Sequence, residues 1–377
     1  MFVVLKRMIP FGCLGLIALA LCAGARPAAA ADDAWKAEWD KTLAAAKKEG
    51  KLVLYMRRYD AVLKEFSKKY PEIKPVVVTG EGPVLGTRIV TERRAEKYLV
   101  DLYVGGPYTV ASTLLPAEAV DRIDDKLLLP EVLDTSSWVN HEIRYSDPER
   151  KYNLAFLANP GSSQISYNST LVDPKTITSY QDFLDPKWKG KIVSIDPTDR
   201  HIGGITQFIY YNPNLGPDFF RKLFGEMDVT YARNVRQMTD WLAAGKFALC
   251  LGCLYIERAK QQGLPVGNLD TTVYKEGASF QAGSGSISLI KQAPNPNAAK
   301  LFINWLLSRE GQMVVQKTAD NGEHMNSGRI DIPKDDVDRD NQLVEGEQYF
   351  DQNSPEWADI DKVDALSRQI MATKSMQ

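Results

Sequence analysis

Cysteine is scarce in this chain. Of four, Cys13 and Cys22 sit in an N-terminal apolar stretch, and only Cys250 and Cys253 lie beyond it. That rules out a scaffold held together mainly by disulfides, and with no second cysteine pair it rules out a four-cysteine zinc site. Histidine is rarer still. His141, His201 and His324 fall in no hydrolase motif, and alone each reads as a loop polar group rather than a metal ligand. There is no G-x-S-x-G elbow, no G-x-x-x-x-G-K-[ST] loop and no dinucleotide fingerprint, which argues against ordinary serine-hydrolase and nucleotide chemistry. Past the N-terminus, no run approaches the roughly 20 apolar residues that a spanning helix needs. Charge of one sign is also missing: 46 Lys and Arg face 48 Asp and Glu, so no basic surface for nucleic acid is indicated. Internal repeats and low-complexity segments are absent.

The N-terminus is where the long apolar run does occur. Lys6 and Arg7 precede "MIPFGCLGLIALALCAGA", and "PAAAADD" supplies small residues for cleavage near Ala30 or Ala31. This is the pattern of an export signal over residues 1–31, so the mature chain is expected in the periplasm. Losing Lys6, Arg7 and Arg26 makes the net charge of −2 more negative by three. The remaining chain, about 345 residues, is longer than one core usually holds, so two domains are expected. Only Cys250 and Cys253 stay, in a compartment that permits a disulfide.

Strands and helices alternate along the mature chain. Trp35, Trp39, Leu43 and Ala46 mark one face of a helix over 33–49 that Gly50 ends. "KLVLYM" (51–56) reads as a buried strand, and a helix from Asp60 buries Val62, Leu63 and Phe66 up to Pro71. "KPVVVTG" (74–80), a helix opened by Gly82-Pro83 and "VDLYVGG" (100–106) continue the alternation, which implies a parallel, helix-covered sheet. It resumes with "GKIVSID" (190–196), a helix from Ile205, the helices "PDFFRKLFGEM" and "VRQMTDWLAAG", and the strands "FALCLG" and "GSISLIK". One long helix is expected over "NPNAAKLFINWLLSREGQMVVQ" and a last one near 358–372. These are two α/β blocks, with crossings expected near 140–155 and 275–285.

In open α/β sheets, ligands bind beyond the strands' carboxyl ends, in loops that run into helix N-termini. Here those loops are "RRYD" (57–60), "GEGP" (80–83), "GGPYT" (105–109) and "PTDRHIGG" (197–204). The candidate ligand-binding residues are Arg57, Arg58, Tyr59, Glu81, Gly82, Gly106, Arg200, His201, Gly203 and Gly204. Glycine lets a ligand approach the backbone, and guanidinium pairs with carboxylate in a bidentate fork, so the set suits a small organic anion. Tyr55, Tyr59, Tyr108 and Tyr255 can supply apolar walls. Glu81 suits an amine or hydroxyl on the same solute.

The spacing Cys250-x-x-Cys253 also belongs to thiol–disulfide enzymes. A redox pair normally opens a helix, whereas this one starts inside an apolar strand. Extended chain separates positions three apart by about 10 Å, too far for a bridge. A turn at Leu251-Gly252 would close the gap, and Gly252 permits one. Bridged and unbridged forms both remain open, with Cys253 and Tyr255 as cleft-lining candidates.

"GEGPVLGTRIVTERRAEKYLVDLYVGG" (80–106), "SYQDFLDPKWKGKIVSIDP" (179–197) and "APNPNAAKLFINWLLSREGQ" (293–312) carry a resemblance. The chain resembles the periplasmic solute-binding proteins of ABC importers, in the group that includes the ferric-iron-binding proteins. The resemblance implies a type II α/β fold of two lobes, each a helix-flanked, mainly parallel sheet, with crossing hinge strands and a cleft that closes on its solute. It implies lobe 1 over 32–145 and 279–322, lobe 2 over 146–278, and a C-terminal segment, 323–377, packing mainly on lobe 2. It further implies a monomer without cofactor or catalysis, whose partners are a solute, an ABC permease and its ATPase. His324 and Arg329, in the segment corresponding to the relatives' return across the hinge, become cleft candidates. The iron-binding relatives carry adjacent tyrosines where this chain has Cys253-Leu254, with Tyr255 one step later. Cys-Leu lacks the hard oxygen ligands that Fe³⁺ requires. Pro83 departs from the relatives' usual small polar residue. A ferric-ion carrier, a periplasmic thiol–disulfide oxidoreductase and a sensor subunit stand as alternatives.

Overall fold

The computed structural model describes residues 28–374 apart from 58, 161–164, 199–203, 318, 321–322, 338–341 and 345. Nearly all of the expected signal therefore lies outside the described residues, as do Arg58, Arg200, His201 and Gly203. Among the described residues, no helix is long and apolar enough to cross a membrane.

The chain runs α1 (Ala28–Glu49), β1 (Lys51–Met56), α2 (Asp60–Lys69), β2 (Lys74–Thr79), α3 (Gly82–Arg94) and β3 (Leu102–Gly105). Next come α4 (Pro107–Thr109), β4 (Val120–Asp121), α5 (Pro130–Leu133), β5 (Leu154–Ala155), β6 (Asn159–Pro160), β7 (Ile165–Asn168) and β8 (Ile192–Ile195). The second block continues with α6 (Gly204–Tyr211), α7 (Gly216–Arg221), β9 (Thr230–Ala232), α8 (Val235–Ala243), β10 (Leu249–Leu251), α9 (Ile256–Gln261) and β11 (Val266–Asn268). The last part comprises β12 (Ala278–Gln281), β13 (Ser286–Ile290), α10 (Pro296–Leu307), α11 (Arg309–Lys317), β14 (Ala319–Asp320), β15 (Glu323–His324), β16 (Tyr349–Asp351) and α12 (Ile360–Lys374).

Lobe 1 is a sheet of order β2-β1-β3-β13-β4, with β5 also on β13. β1, β2 and β3 are parallel, as the alternation predicts, but the returning β13 is antiparallel to β3. Lobe 2 has the order β11-β7-β10-β8-β9, in which β7 is antiparallel to β10 and the β10-β8-β9 half is parallel. Each sheet is therefore mixed, because the strand that follows each crossing re-enters its sheet running the other way.

Apolar periodicity accounts for most of the core. In β1 every residue after Lys51 is buried. On α2, Val62, Leu63 and Phe66 are buried, and Phe66 meets α10, edge-on to Phe302 at 5.0 Å and 5.3 Å from Trp305. A second aromatic core fills lobe 2 around Tyr180, Phe183, Phe208, Phe220 and Phe224. Trp357, Val363, Leu366 and Ile370 join that lobe-2 core from the C-terminal segment.

The long helix expected over 295–316 is broken. It stops at Leu307, Ser308 turns extended (ψ 162°), and α11 starts anew at Arg309. Gly311 allows the close return: a Cβ there would lie 2.0 Å from the Trp305 carbonyl oxygen. The Ser308 hydroxyl donates to the Trp305 carbonyl (2.7 Å) and accepts from the Gly311 N–H (3.1 Å), satisfying groups that the break frees.

Three connections link the lobes. The first crossing lies between β5 and β7, somewhat later than the expected 140–155, and the second lies between β12 and β13. β6 and β12 pair, and β16 adds parallel to β12 on the way to α12. Arg144 ties all three. Its guanidinium donates to both carboxylate oxygens of Asp351 on β16 (2.7 and 2.9 Å) and to the Leu157 carbonyl (2.7 Å), and it lies 4.3 Å from the Phe280 ring of β12. Both ends are buried, at 2% and 9% side-chain exposure.

Removing one partner of a buried ion pair strands the other charge, at a cost of roughly 3–5 kcal/mol. Arg144→Ala is expected to lose that much in urea unfolding, whereas Arg144→Met with Asp351→Leu recovers most of it. An equal loss in single and double variants would remove the stranded charge as the cause.

Candidate functional site

The strand registers bring two sheet edges to a common cleft. Gly105, at the carboxyl end of β3, pairs with Ser286, just after the second crossing. Leu251, at the carboxyl end of β10, pairs with Ile165, just after the first. Loops leaving the carboxyl ends of the central strands in both lobes therefore lie on the side where the crossings run. Gly106 marks the contact: a Cβ there would sit 3.4 Å from the Gly283 carbonyl oxygen.

On lobe 1, β1 delivers Arg57 and Tyr59, β2 delivers Glu81 and Gly82, and β3 delivers Gly106 and Tyr108. Arg57 Nε lies 3.2 Å from Glu81 Oε2 at partly exposed positions. Glu81, expected to face a cationic part of the solute, is thus paired with an arginine of its own lobe. Gly82 opens α3 with Pro83 behind it, and a Cβ there would fall 2.6 Å from Thr109 Oγ1 and 2.9 Å from the Tyr103 hydroxyl. Its glycine is needed for packing against these two side chains. The Tyr103 hydroxyl is buried and finds no hydrogen bond of normal geometry. Burial raises its pKa, opposed by the neighbouring Thr109 hydroxyl and by Arg57. Tyr59 is buried, left-handed (φ 86°) at the N-cap of α2, with its ring 5.8 Å from Phe156 of the first crossing.

On lobe 2, Asp196 directly follows β8. Its Oδ1 accepts from the Thr198 N–H (2.9 Å) and hydroxyl (2.7 Å), and its Oδ2 accepts from Arg233 Nε (2.8 Å). Burial alone would raise the Asp196 pKa, but these bonds outweigh it and hold the carboxyl below its ordinary value. Arg233 follows β9, a short strand that composition does not reveal. Asn234 then caps α8, accepting from the Arg236 and Gln237 N–H groups. The Arg236 guanidinium lies 5.8 Å from the Tyr255 ring centroid. Gly204 starts α6, and its carbonyl accepts from Gln352 Nε2 (2.9 Å) beside the hinge strand β16.

The C-x-x-C question is resolved by a disulfide between Cys250 and Cys253, with Cα atoms 5.8 Å apart. The extended spacing of about 10 Å fails, because Gly252 adopts φ 85° and turns the chain. Both cysteines are buried, so neither offers an exposed thiolate, and Cys253 shapes the cleft only through the turn it closes. Beyond it, Leu254 and Tyr255 are exposed at 41% and 53%, and the Leu254 carbonyl accepts from Thr239 Oγ1 (2.8 Å).

One expected cleft residue, Arg329, sits elsewhere. Arg329 is buried inside lobe 1, donating to both Asp331 oxygens (2.8 Å each) and to the carbonyls of Glu131 (3.0 Å) and Leu307 (3.2 Å). The polar run read as a return across the hinge bridges to the first crossing, Ser327 to Leu157 with Asn326 bonded to Ala158 and Asn159, and then to lobe 1, Arg329 to Trp138. His324 lies in the short strand β15. The structure unites Arg57, Glu81 and Gly82 on one face and Cys253 with Tyr255 on the other. Asp196, Arg233 and Arg236 complete that second face. An aspartate ending "VSID" was the only local signal for them.

Two α/β lobes that face each other with strand carboxyl ends and helix N-termini, joined by three crossings, define a type II solute-binding protein. Solved structures share the fold. The Trichodesmium protein IdiA (FutA) in complex with iron and citrate superposes with a TM-score of 0.65 at 19% identity, covering 85% of this chain and 99% of its own. Apo FutA2 from Synechocystis PCC6803 gives 0.62 at 15% identity over 85% and 98%. AfuA from Actinobacillus pleuropneumoniae, with fructose-6-phosphate bound, gives 0.54 at 19% over 86% and 98%. A Haemophilus influenzae protein, described as uncharacterized, is 28% identical over 151 residues, which spans 37% of this chain and 40% of that relative. The chain belongs to the bacterial extracellular solute-binding protein family, whose model matches residues 28–313. It is a solute-binding protein of the ABC-importer class, a family of transport proteins.

Closing so short a loop restricts the unfolded chain by about 2 kcal/mol on the chain-entropy account. Cys250→Ser with Cys253→Ser is expected to lose about that much in denaturant unfolding, and the wild type to lose the same on reduction. Thiol titration of denatured mature protein should find free thiols only after reductant.

For Asp196 the folded pKa lies below the unfolded value of 3.8. Its stabilisation is therefore complete above that value and is lost as pH falls through the lower folded one. Stability of the wild type should drop more steeply than that of Asp196→Asn as pH falls below about 4; parallel acid curves would contradict this.

Proposed function

We propose that this protein is the periplasmic receptor of an ABC importer. In this reading it captures a small organic anion between its lobes by hinge closure and hands it, as a monomer, to a membrane permease powered by a cytoplasmic ATPase. The observation that carries the anion assignment is the arginine set at opposing sheet edges, Arg57 on lobe 1 and Arg233 and Arg236 on lobe 2. Guanidinium groups suit carboxylate or phosphate, and a closing cleft strengthens such pairs by excluding water. Neighbours of the same fold bound to citrate with iron and to a sugar phosphate fit an anionic ligand class.

Ferric iron alone fits this chain less well. Where the relatives carry their tyrosine pair stand Cys253, whose sulfur is held in the disulfide, and Leu254, which has no ligand atom. A dithiol oxidoreductase is disfavoured by the burial of both cysteines in a strand-end turn.

Thermal-shift screening of the mature protein against carboxylates, sugar phosphates, phosphonates, amino acids and Fe³⁺ tests the proposal. A true solute should stabilise the fold by about 2.7 kcal/mol at a hundredfold excess over Kd. A visible tyrosinate-to-iron band on adding Fe³⁺, with no response to any organic anion, would replace this reading with iron transport.

A further inference from the structure

Tyr255 is unusual in three independent ways. It holds φ 63°, a left-handed conformation that bulky side chains rarely adopt. It is 53% exposed, although a phenol ring at a sheet end ordinarily gains by burial. It also keeps Arg236 beside its ring. Backbone strain of this kind survives only where the surroundings enforce it, and it concentrates at ligand sites. Here the enforcing elements are the disulfide on one side and the Thr239 bond to the Leu254 carbonyl on the other. They constrain the backbone that leads into Tyr255.

The charges around it are unequal. Arg57 is paired with Glu81, and Arg233 with Asp196. Arg236 pairs with no carboxylate among the described residues, which leaves one uncompensated cation, placed next to an exposed aromatic face. Across the cleft, Tyr108 follows the carboxyl end of β3 and is 48% exposed. Each lobe thus offers a half-exposed phenol ring at its cleft edge.

Resting on the reading of this cleft as the solute site, we propose that the solute is an aromatic carboxylate. Its ring stacks on Tyr255, its anionic group meets Arg236, and Tyr108 covers it from lobe 1 when the cleft closes. An aliphatic anion would use the arginine and leave both rings without a partner, whereas a planar ring uses all three groups.

The test compares benzoate and a panel of one- and two-ring aromatic carboxylates with cyclohexanecarboxylate, succinate and fructose 6-phosphate. Binding to the mature protein is measured by calorimetry. At least one aromatic acid is expected to bind about tenfold or more tightly than its saturated counterpart, the upper range for a stacked ring pair. Tyr255→Ala and Tyr108→Ala should each weaken it by up to about tenfold, Tyr255→Phe should leave it nearly unchanged, and Arg236→Gln should weaken every carboxylate. Circular dichroism confirms that these surface variants fold. Equal binding of cyclohexanecarboxylate, or full retention in both alanine variants, overturns the aromatic assignment. If only succinate or fructose 6-phosphate binds, the aromatic assignment falls and the receptor for an organic anion stands. If no organic anion binds, both fall.

Discussion

The Arg144–Asp351 pair is the constraint on which the rest depends. Two lobes, each with its own core, need a joint that holds register yet permits rotation. Three strands passing side by side supply it, and the buried guanidinium joins them through a carboxylate, a carbonyl and a ring face. The guanidinium, at 2% side-chain exposure, is nearly closed off from water as an alternative partner. It therefore specifies one pairing of the crossings, where an apolar contact would tolerate slippage. Gln352 and Asn353, next along the same segment, extend the tie by bonding Gly204 on lobe 2 and the Ala282 N–H beside β12.

From that joint follows the cleft. Because both crossings re-enter their sheets antiparallel to a central strand, the carboxyl ends of the neighbouring parallel strands are turned toward the hinge. Among the described arginines there, Arg57 is paired with Glu81 and Arg233 with Asp196, which leaves groups able to exchange partners. The disulfide adds rigidity where the lobe-2 strand ends, in a turn only four residues long.

Much of the fold was legible from hydrophobic periodicity. The burial of β1, the inner face of α2 and the α8 end at Gly245 follow from apolar spacing and glycine placement alone. What escaped was of two kinds. Short strands such as β9 and β11, three residues each, carry too few positions for a period to show. The break after Leu307 was hidden because the apolar pattern continues across it. Only the serine that caps both sides and the glycine that admits the Trp305 carbonyl distinguish two helices from one.

For the site, the sequence alone determined the chemistry on offer: arginines, glycines and tyrosines in loops that leave strands and enter helices, and a cysteine pair with a glycine between. Those are local properties, fixed by residue type and spacing. Which groups meet was decided by tertiary structure. Arg329 looked available until packing enclosed it among carbonyls of lobe 1, and Glu81 looked free until the β1 and β2 loops set Arg57 beside it. Arg236 and Tyr255, nineteen positions apart, become neighbours because α8 and β10 pack together. Long-range contacts of this kind depend on how sheets register and lobes join, and spacing along a chain does not encode them.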